Sequence, residues 1–268
     1  GSLGGVAAAI TVPIAIGGNP GFAVGAGLGV GGFGILPGFL AGYVIGLVSP
    51  IIEKKLPEGL NIIVGALAIA PLARIIAVLV DPAVNATLVK IGGTISAAAD
   101  QSPIVMGFLL GGIMKMICTS PLSSMALTAM LGLNGLAMGI AAIACVGGSF
   151  TNGIIFKRLK LGDKSNIIAV MLEPLTQANI ITAHPIPIYC SNFFGGGLAG
   201  ISAAAFGIIN NAPGTASPIP GLLAPFAFNS PLSVVGALIF AVLGGCLAGY
   251  VGSIVFKKRV EKTEVCYA

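Results

Sequence analysis

The sequence predicts an all-α integral membrane protein, and three observations support this class. Hydrophobic residues make up 56% of the 268 residues, and the mean hydropathy is +1.05. Charged residues make up only 8%, whereas a soluble domain carries about 25%, so this chain lacks the residues for a water-exposed surface. Apolar segments of about 20 residues, the length of a helical crossing, recur along the chain. We therefore expect a single transmembrane domain over residues 1–268, embedded in the lipid bilayer.

The apolar segments divide into three groups along the chain. Those that we expect to contain a full crossing are residues 22–52, 60–80, 133–156, 186–209 and 233–256. Residues 3–16 are too short for a full crossing, and residues 103–131 are interrupted by TSPLSS. Residues 83–99 are less apolar and could lie at the membrane interface. With hairpins counted, we expect about seven to nine membrane segments. Because the chain begins GSLGG rather than with Met, further segments could precede it.

Basic residues concentrate in three loops, and each loop directly follows an apolar segment. These loops are residues 54–55, 157–164 and 257–262. Lysine and arginine in short loops stay on the cytoplasmic side of a membrane, so we expect all three loops in the cytoplasm. This placement explains the net charge of +5 without a nucleic-acid partner.

The charge pattern also predicts two re-entrant hairpins. An even number of crossings must separate the last two basic loops, and residues 186–209 and 233–256 supply two. The stretches before and between these crossings, residues 170–187 and 210–231, must then each enter and leave on one side. Irregular backbone at membrane depth persists only where it is buried in protein or lines a wet cavity. Two such hairpins therefore indicate a solute site within a polytopic helical bundle.

The stretch VMLEPLTQANIITAHPIP, residues 170–187, collects polar side chains between two apolar regions. A carboxylate at the centre of a membrane helix costs about 2.5–3.5 kcal/mol on insertion scales, so it needs a partner, a proton or a solute. Glutamate, glutamine, asparagine and histidine can match the hydroxyls of a sugar with directional hydrogen bonds. The residues that we expect to line a solute cavity are Glu173, Gln177, Asn179 and His184.

Further polar candidates lie at two other breaks between apolar segments. Ser120 and Ser123 flank a proline in CTSPLSS, where Ser120 could cap a helix that begins at Pro121. Asn210 and Asn211 open the proline-rich stretch and could reach the same cavity. An ordinary helix break and a turn explain these residues equally well.

Other interpretations of the charged and reactive residues remain open. Lys115, within GGIMKMIC, could pair with Glu173, or Glu173 could lie at the interface near the basic loop. His184 could shuttle a proton or cap the following helix. The single histidine and the five scattered cysteines, with no CxxC pair, argue against a metal site or a disulfide framework. No Walker A motif is present, and we expect no cofactor.

Three motifs in a fixed order resemble a known family. They are LPGFLAGYVIGLV followed by KKLPEGLNIIV, then TSPLSSMALTAMLGLNGLA, and finally MLEPLTQANIITAHPIPIY. Together they resemble the EIIC membrane subunit of the bacterial sugar phosphotransferase system, nearest to the branch of fructose-type EIICs and perfringolysin O regulator-like proteins. The resemblance covers residues 36–256. Two positions depart from the family pattern: VMLE replaces Gly-Ile-Thr-Glu, and His184-Pro185 replaces an Asp-Pro or Asn-Pro pair.

The resemblance implies a function, a site and partners. An EIIC subunit carries a sugar through the bacterial inner membrane and presents it to a phosphorylated EIIB. The resemblance implies that Glu173 is the sugar-binding carboxylate and could orient the hydroxyl that takes the phosphoryl group. It also implies a homodimer with cytoplasmic EIIB and EIIA partners, which would supply any phosphorylation.

Two alternative functions fit the same residues. The first is a membrane regulator that senses a ligand without transport, which a flux assay would distinguish. The second is an ion-coupled transporter of another small solute, in which Glu173 would carry a proton. Transport that depends on pH and needs no EIIB would distinguish this second alternative.

Overall fold

The part of the chain that the structure describes folds into helices. The structure, a computed structural model, describes residues 3–257 except 56, 58 and 121, and also Val260. These residues are 82% helical and include no strand, which confirms the all-α class. The stretches that are long and apolar enough to cross a membrane are Ile35–Glu53, Leu67–Gln101, Gly135–Leu159 and Pro231–Val255. Contacts group the chain into two compact units, unit 1 (Gly1–Ile91) and unit 2 (Gly92–Ala268).

Unit 1 contains the first helices of the chain. They are α1 (Gly4–Ala15), α2 (Pro20–Gly29), α3 (Ile35–Glu53), α4 (Asn61–Val64) and the first part of α5 (Ala70–Gln101), which follows a π-helical turn at Gly65–Ile69. α5 continues through Pro82 into unit 2, so residues 83–99 belong to one long helix. A proline removes one backbone hydrogen bond from a helix. In the turn after Pro82, the side chain of Thr87 donates to the carbonyl oxygen of Ala83 at 2.8 Å.

α1 and α3 lie parallel and touch through glycine. The contacting pairs are Gly38 with Gly5, Gly42 with Ala9, and Gly46 with Pro13. A Cβ atom at Gly42 would lie 2.9 Å from the Cα atom of Ala9, so the two backbones leave no room for a side chain. Glycines at every fourth position form a smooth stripe that allows this close approach.

Asn19 closes the break between α1 and α2. Its Oδ1 atom accepts a hydrogen bond from the backbone N–H of Gly21 at 2.7 Å, which caps α2. Its own N–H donates to Ser49 Oγ at 2.8 Å, and its side-chain amide donates to the carboxylate of Glu53. The break is therefore tied to the last turn of α3.

Unit 2 contains the remaining helices. They are α6 (Pro103–Thr119), α7 (Ser124–Met130), α8 (Gly135–Leu159), α9 (Lys164–Leu172), α10 (Ala178–Ala183), α11 (Pro185–Ala205), α12 (Pro218–Leu223) and α13 (Pro231–Val255), with 3₁₀ turns at Pro174–Gln177 and Ala224–Ala227. α8 is buried along almost its whole length and forms the centre of the unit.

Three helices surround α8. α13 runs parallel to it: Gly245 and Gly249 pack on successive turns of α8, and Thr151 donates to the carbonyl oxygen of Gly245 at 2.9 Å. α11 runs antiparallel, because its Gly195 meets Thr151 while its later residue Ala199 meets the earlier Gly147. α6 runs parallel to α8. It also packs against α11, and the glycines at this contact are Gly107, Gly111, Gly196 and Gly200.

The helix triplet α1–α2–α3 of unit 1 and the triplet α6–α7–α8 of unit 2 have the same arrangement. In each, a helix is followed by a break, a short helix, a second break and a long helix parallel to the first. The contact of Pro13 with Gly46 and that of Lys115 with Gly148 join residues with the same separation in sequence. The two units therefore share a structural repeat, and Lys115 occupies the position that Pro13 has in unit 1.

Two hairpins fold back along α8 from its opposite ends. The first hairpin, residues 164–183, begins and ends beside the last turns of α8, where Val170 and Ile181 pack with Phe156 and Leu159. The second hairpin, residues 206–230, begins and ends beside the first turn of α8, and Asn229 closes it through hydrogen bonds with both backbone groups of Ile209. The predicted hairpin segments, residues 170–187 and 210–231, overlap these two, although the first hairpin begins six residues earlier and residues 185–187 already belong to α11.

The C-terminal ends of α8 and α13 lie side by side. The Nε atom of Arg158 donates to Ser253 Oγ at 2.7 Å, and its guanidinium lies 4.4 Å from the ring centroid of Tyr250. The ends of α8 and α13, which the second and third basic loops follow in sequence, therefore lie side by side. Several residues of the predicted breaks, basic loops and cysteines lie outside the described part of the chain, namely Pro121, Lys258, Arg259, Lys262 and Cys266.

Candidate functional site

Three breaks in the helices of unit 2 meet beside α8. The tip of the first hairpin carries Glu173, and the tip of the second carries Ser217, whose Oγ atom donates to Glu173 Oε2 at 3.5 Å. The break between α6 and α7 supplies Ser124, whose Oγ atom donates to the carbonyl oxygen of Ala216 at 2.5 Å. Such non-helical tips bring polar groups together within an otherwise apolar bundle.

The backbone turns sharply at Glu173. A proline disfavours helical geometry in the residue before it, and Glu173 accordingly ends α9 in an extended conformation with φ −148° and ψ 98°. Its carbonyl oxygen accepts hydrogen bonds from the N–H and the hydroxyl of Thr176, at 3.1 and 2.8 Å. The carboxylate itself is exposed, and the long bond from Ser217 is the hydrogen bond that it accepts among the described residues. It therefore keeps most of its acceptor capacity.

Gln177 braces the first hairpin. This residue is only 8% exposed, and its Oε1 atom accepts a hydrogen bond from Asn166 Nδ2 at 2.6 Å. Asn166 and Asp163 form a reciprocal capping box at the start of α9. The hydrogen bond between Asn166 and Gln177 therefore ties the turn at the tip of the hairpin to the start of α9. Asn179 is exposed, and His184 is half-buried at the junction of α10 and α11.

The two serines of CTSPLSS have different local roles. Ser120 ends α6: its hydroxyl donates to the carbonyl oxygen of Ile117 at 2.8 Å and accepts from the N–H of Leu122 at 3.1 Å. Ser123 caps α7, because its hydroxyl accepts from the N–H of Ala126 at 3.2 Å. The expectation that Ser120 caps the next helix is therefore wrong, since α7 begins at Ser124 rather than directly after Ser120.

Asn210 and Asn211 fasten the second hairpin to α8. Asn210 is fully buried; its Nδ2 atom donates to Thr215 Oγ1 at 2.8 Å, and its Oδ1 atom accepts from the N–H of Ala212 at 3.0 Å. Asn211 Oδ1 accepts from the N–H of Gly135 at 3.0 Å. The Asn210 side chain thus makes the turn contacts that were the alternative to a role in the cavity, whereas the Asn211 side chain joins the hairpin to the start of α8.

A chain of buried amides crosses the core beside these tips. Asn192 Nδ2 donates to Asn152 Oδ1 at 2.5 Å and to the carbonyl oxygen of Ile188 at 2.9 Å, while Asn152 Nδ2 donates to Thr119 Oγ1 at 3.5 Å. Asn192 Oδ1 is buried without a hydrogen-bond partner among the described residues. Neither Asn152 nor Asn192 was predicted from the sequence. The signal was present, since each is a lone amide within an apolar helix.

Lys115 is fully buried and does not pair with Glu173. Its Nζ atom lies 3.4 Å from the carbonyl oxygen of Cys145, and its stem crosses Gly148 of α8. The expected ion pair is therefore wrong in this conformation. Long side chains on a helix point toward its N-terminus, and this direction carries the ammonium group away from the later residues of α6.

The fold and the site together define a class of protein. This is a polytopic helical membrane protein in which breaks between helices bring polar groups together beside the exposed carboxylate of Glu173. A family model described as "Phosphotransferase system, EIIC" matches residues 1–266. The chain therefore belongs to the family of EIIC membrane subunits of the phosphotransferase system. No curated protein and no solved structure matches it significantly.

Membership of this family defines the general function of the protein within the phosphotransferase system. It is a multi-pass protein of the bacterial inner membrane that translocates a sugar. The family also implies EIIB and EIIA as its partner proteins.

Proposed function

We propose that the translocated sugar binds where the tips of the two hairpins meet, with Glu173 as the main acceptor for its hydroxyl groups. One observation carries this proposal. The Glu173 carboxylate is exposed at a proline-induced break and, among the described residues, accepts only a long hydrogen bond from Ser217, although it lies within a strongly apolar chain. A sugar hydroxyl is the kind of donor that such a carboxylate lacks.

The same contact would serve the coupled phosphorylation. A hydroxyl that donates its hydrogen to Glu173 keeps its oxygen lone pairs free to face the phosphoryl group on EIIB. Glu173 would then hold the reacting hydroxyl in one orientation, which is how positioning lowers a barrier. The phosphoryl group would come from EIIB, so the chain itself needs no phosphorylated residue.

The other candidate residues would either contact the sugar or hold the hairpin tips in position. Asn179 and His184 have side chains without a hydrogen bond among the described residues, and we propose them as further sugar contacts. Gln177 would hold the first hairpin in shape through Asn166. The remaining candidates Ser120, Ser123, Asn210 and Asn211 already use their side chains within their own breaks, so we propose that they position the tips rather than touch the sugar.

The proposal also covers the domain organisation, the oligomeric state, the branch of the family and the orientation of the basic loops. We propose that the two units act as a single EIIC domain over residues 1–268, that this domain forms a homodimer, and that it belongs to the fructose-type and perfringolysin O regulator-like branch, as the order of the motifs supports. The basic loops at residues 54–55, 157–164 and 257–262 would face the cytoplasm, in line with the positive-inside rule. Chemical labelling of single cysteines placed in these loops, in intact cells and in inverted vesicles, tests the orientation.

Ligand-induced stabilisation of the purified protein tests the proposed site. A ligand that binds only the folded state at 100 times its Kd adds about 2.7 kcal/mol, which raises the melting temperature by roughly 5–10 °C for a chain of this size. We expect one sugar in a panel of sugars and polyols to stabilise the wild type but not Glu173→Gln. Glu53→Gln is the matched control, because the Glu53 carboxylate also accepts a side-chain hydrogen bond, from the amide of Asn19, but lies in unit 1. Equal stabilisation of Glu173→Gln and the wild type would contradict the proposal.

A further inference from the structure

We propose that Lys115 is a second sugar-binding residue, and that its ammonium group donates hydrogen bonds to the sugar when the hairpin tips part. The inference rests on the proposed function, because it extends the Glu173 site toward the core of unit 2. In the conformation described here Lys115 is 0% exposed, so the sugar reaches it only after the surrounding segments move.

Lys115 has few hydrogen-bond partners where it lies. An ammonium group has three hydrogens to donate, yet the described residues offer it one acceptor, the backbone carbonyl oxygen of Cys145, at 3.4 Å. That oxygen also accepts a hydrogen bond from Ser149 Oγ at 3.0 Å. Burying a charge is unfavourable unless good partners replace the water it loses. A lysine with so few partners in one conformation is expected to gain them in another.

Packing does not require a lysine at this position. In the repeat of unit 1, a Cβ atom at Gly46 would meet the side chain of Ile16 and the Cα atom of Pro13. A Cβ atom at Gly148 would instead meet the stem of Lys115. Apolar residues therefore fill the equivalent groove without any charge. In unit 2, glycines of α8 and α11 make room for the Lys115 side chain, because a Cβ atom at Gly148 or at Gly196 would overlap it.

Other site groups lie close to α6. This helix contacts the Pro174–Gln177 turn that directly follows Glu173. Asn192 Oδ1, a buried acceptor without a partner among the described residues, belongs to the amide chain that reaches Thr119 of α6. A donor at Lys115 and acceptors at Glu173 and Asn192 match a ligand whose hydroxyls both donate and accept.

The test compares Lys115→Met with the wild type in the same sugar panel. Methionine keeps the length of the stem, and replacing a buried charge by an apolar group is often neutral or stabilising. We expect Lys115→Met to melt at or above the wild-type temperature without ligand and to bind the sugar at least about tenfold more weakly. A lower melting temperature with unchanged sugar affinity would show a structural role and overturn the proposal.

A second pair of variants keeps the test decisive if Lys115→Met does not fold. Gly148→Ala retains the charge but places a methyl group against the lysine stem, whereas Gly46→Ala makes the same change at the equivalent site of unit 1. We expect only Gly148→Ala to weaken sugar binding. Equal sugar affinity in the two variants would overturn the proposal.

Glu173→Gln in the same series separates the two proposals. Binding that is lost in Glu173→Gln but intact in Lys115→Met and Gly148→Ala would overturn the role of Lys115 and leave the Glu173 site standing. A wild type that binds no sugar in the panel would contradict the proposed site, and the role of Lys115 with it.

Discussion

Replacing Gly200 by alanine tests the tight contact between α6 and α11. A Cβ atom at Gly200 would overlap the carbonyl oxygen of Gly107 and would lie 3.0 Å from the Cα atom of Gly111, so the backbones of two helices must separate. Inserting a methylene into a close-packed interior typically costs about 1–3 kcal/mol. Since 1 kcal/mol shifts the melting temperature by roughly 2–4 °C in a chain of this size, we expect Gly200→Ala to melt several degrees below the wild type.

Gly93→Ala is the matched control for this change. Gly93 also lies within a long helix, α5, but a Cβ atom there would have no neighbour within 4 Å. Alanine is favoured over glycine in a helix by about 0.5–1 kcal/mol, so we expect the control to melt slightly above the wild type. Thermal unfolding of the two variants in the same detergent measures the difference. Equal melting temperatures would refute the close packing of α6 on α11.

Two further predictions concern the ends of the bundle. Arg158→Ala removes the hydrogen bond to Ser253 and the ring contact at the shared end of α8 and α13, so we expect a loss of about 1–2 kcal/mol of stability with unchanged sugar affinity; a variant as stable as the wild type would contradict this contact. Asn229→Ala opens the base of the second hairpin and leaves the N–H of Ile209 without its partner, so we expect a loss of about 1–3 kcal/mol and faster amide exchange at Ile209; exchange as slow as in the wild type would contradict the closure.

The sequence predicted the class of the protein and the positions of its two hairpins. Charge and hydropathy decide these features, because a membrane helix needs apolar length and a basic loop fixes its side. The break at Glu173 was also predictable, since Pro174 prevents α9 from continuing through it. These features depend on local composition and on the parity of crossings, both of which can be read along one chain.

Features that depend on packing were missed. The shared arrangement of α1–α2–α3 and α6–α7–α8 rests on small residues at matching positions, and such residues recur throughout this glycine-rich chain. The partner of Lys115 depended on the direction of its side chain along α6, which the spacing to Glu173 does not reveal. Asn152 and Asn192 were overlooked because each is isolated in its helix, and only the packing of α8 on α11 brings them together.

The candidate serines and asparagines show the same limit at smaller scale. Ser120 and Ser123 both fit a helix cap by residue type, and only the position of the first turn of α7 decides between them. Asn210 and Asn211 could line a cavity or form a turn on sequence grounds. The contact of Asn210 with Thr215 is that of a turn, whereas Asn211 bonds to Gly135 at the start of α8. Residue type thus marks where polar contacts occur, whereas three-dimensional packing decides which partner is used.

Uptake of the sugar that stabilises the purified protein tests the central claim most directly. Cells without their own uptake system for that sugar would express this chain with its EIIB and EIIA partners, and intracellular sugar phosphate would be measured. We expect accumulation with the wild type and with Glu53→Gln, and only background with Glu173→Gln at equal amounts of protein in the membrane. Accumulation by Glu173→Gln at the wild-type rate would contradict the claim that the sugar passes through a site built on Glu173.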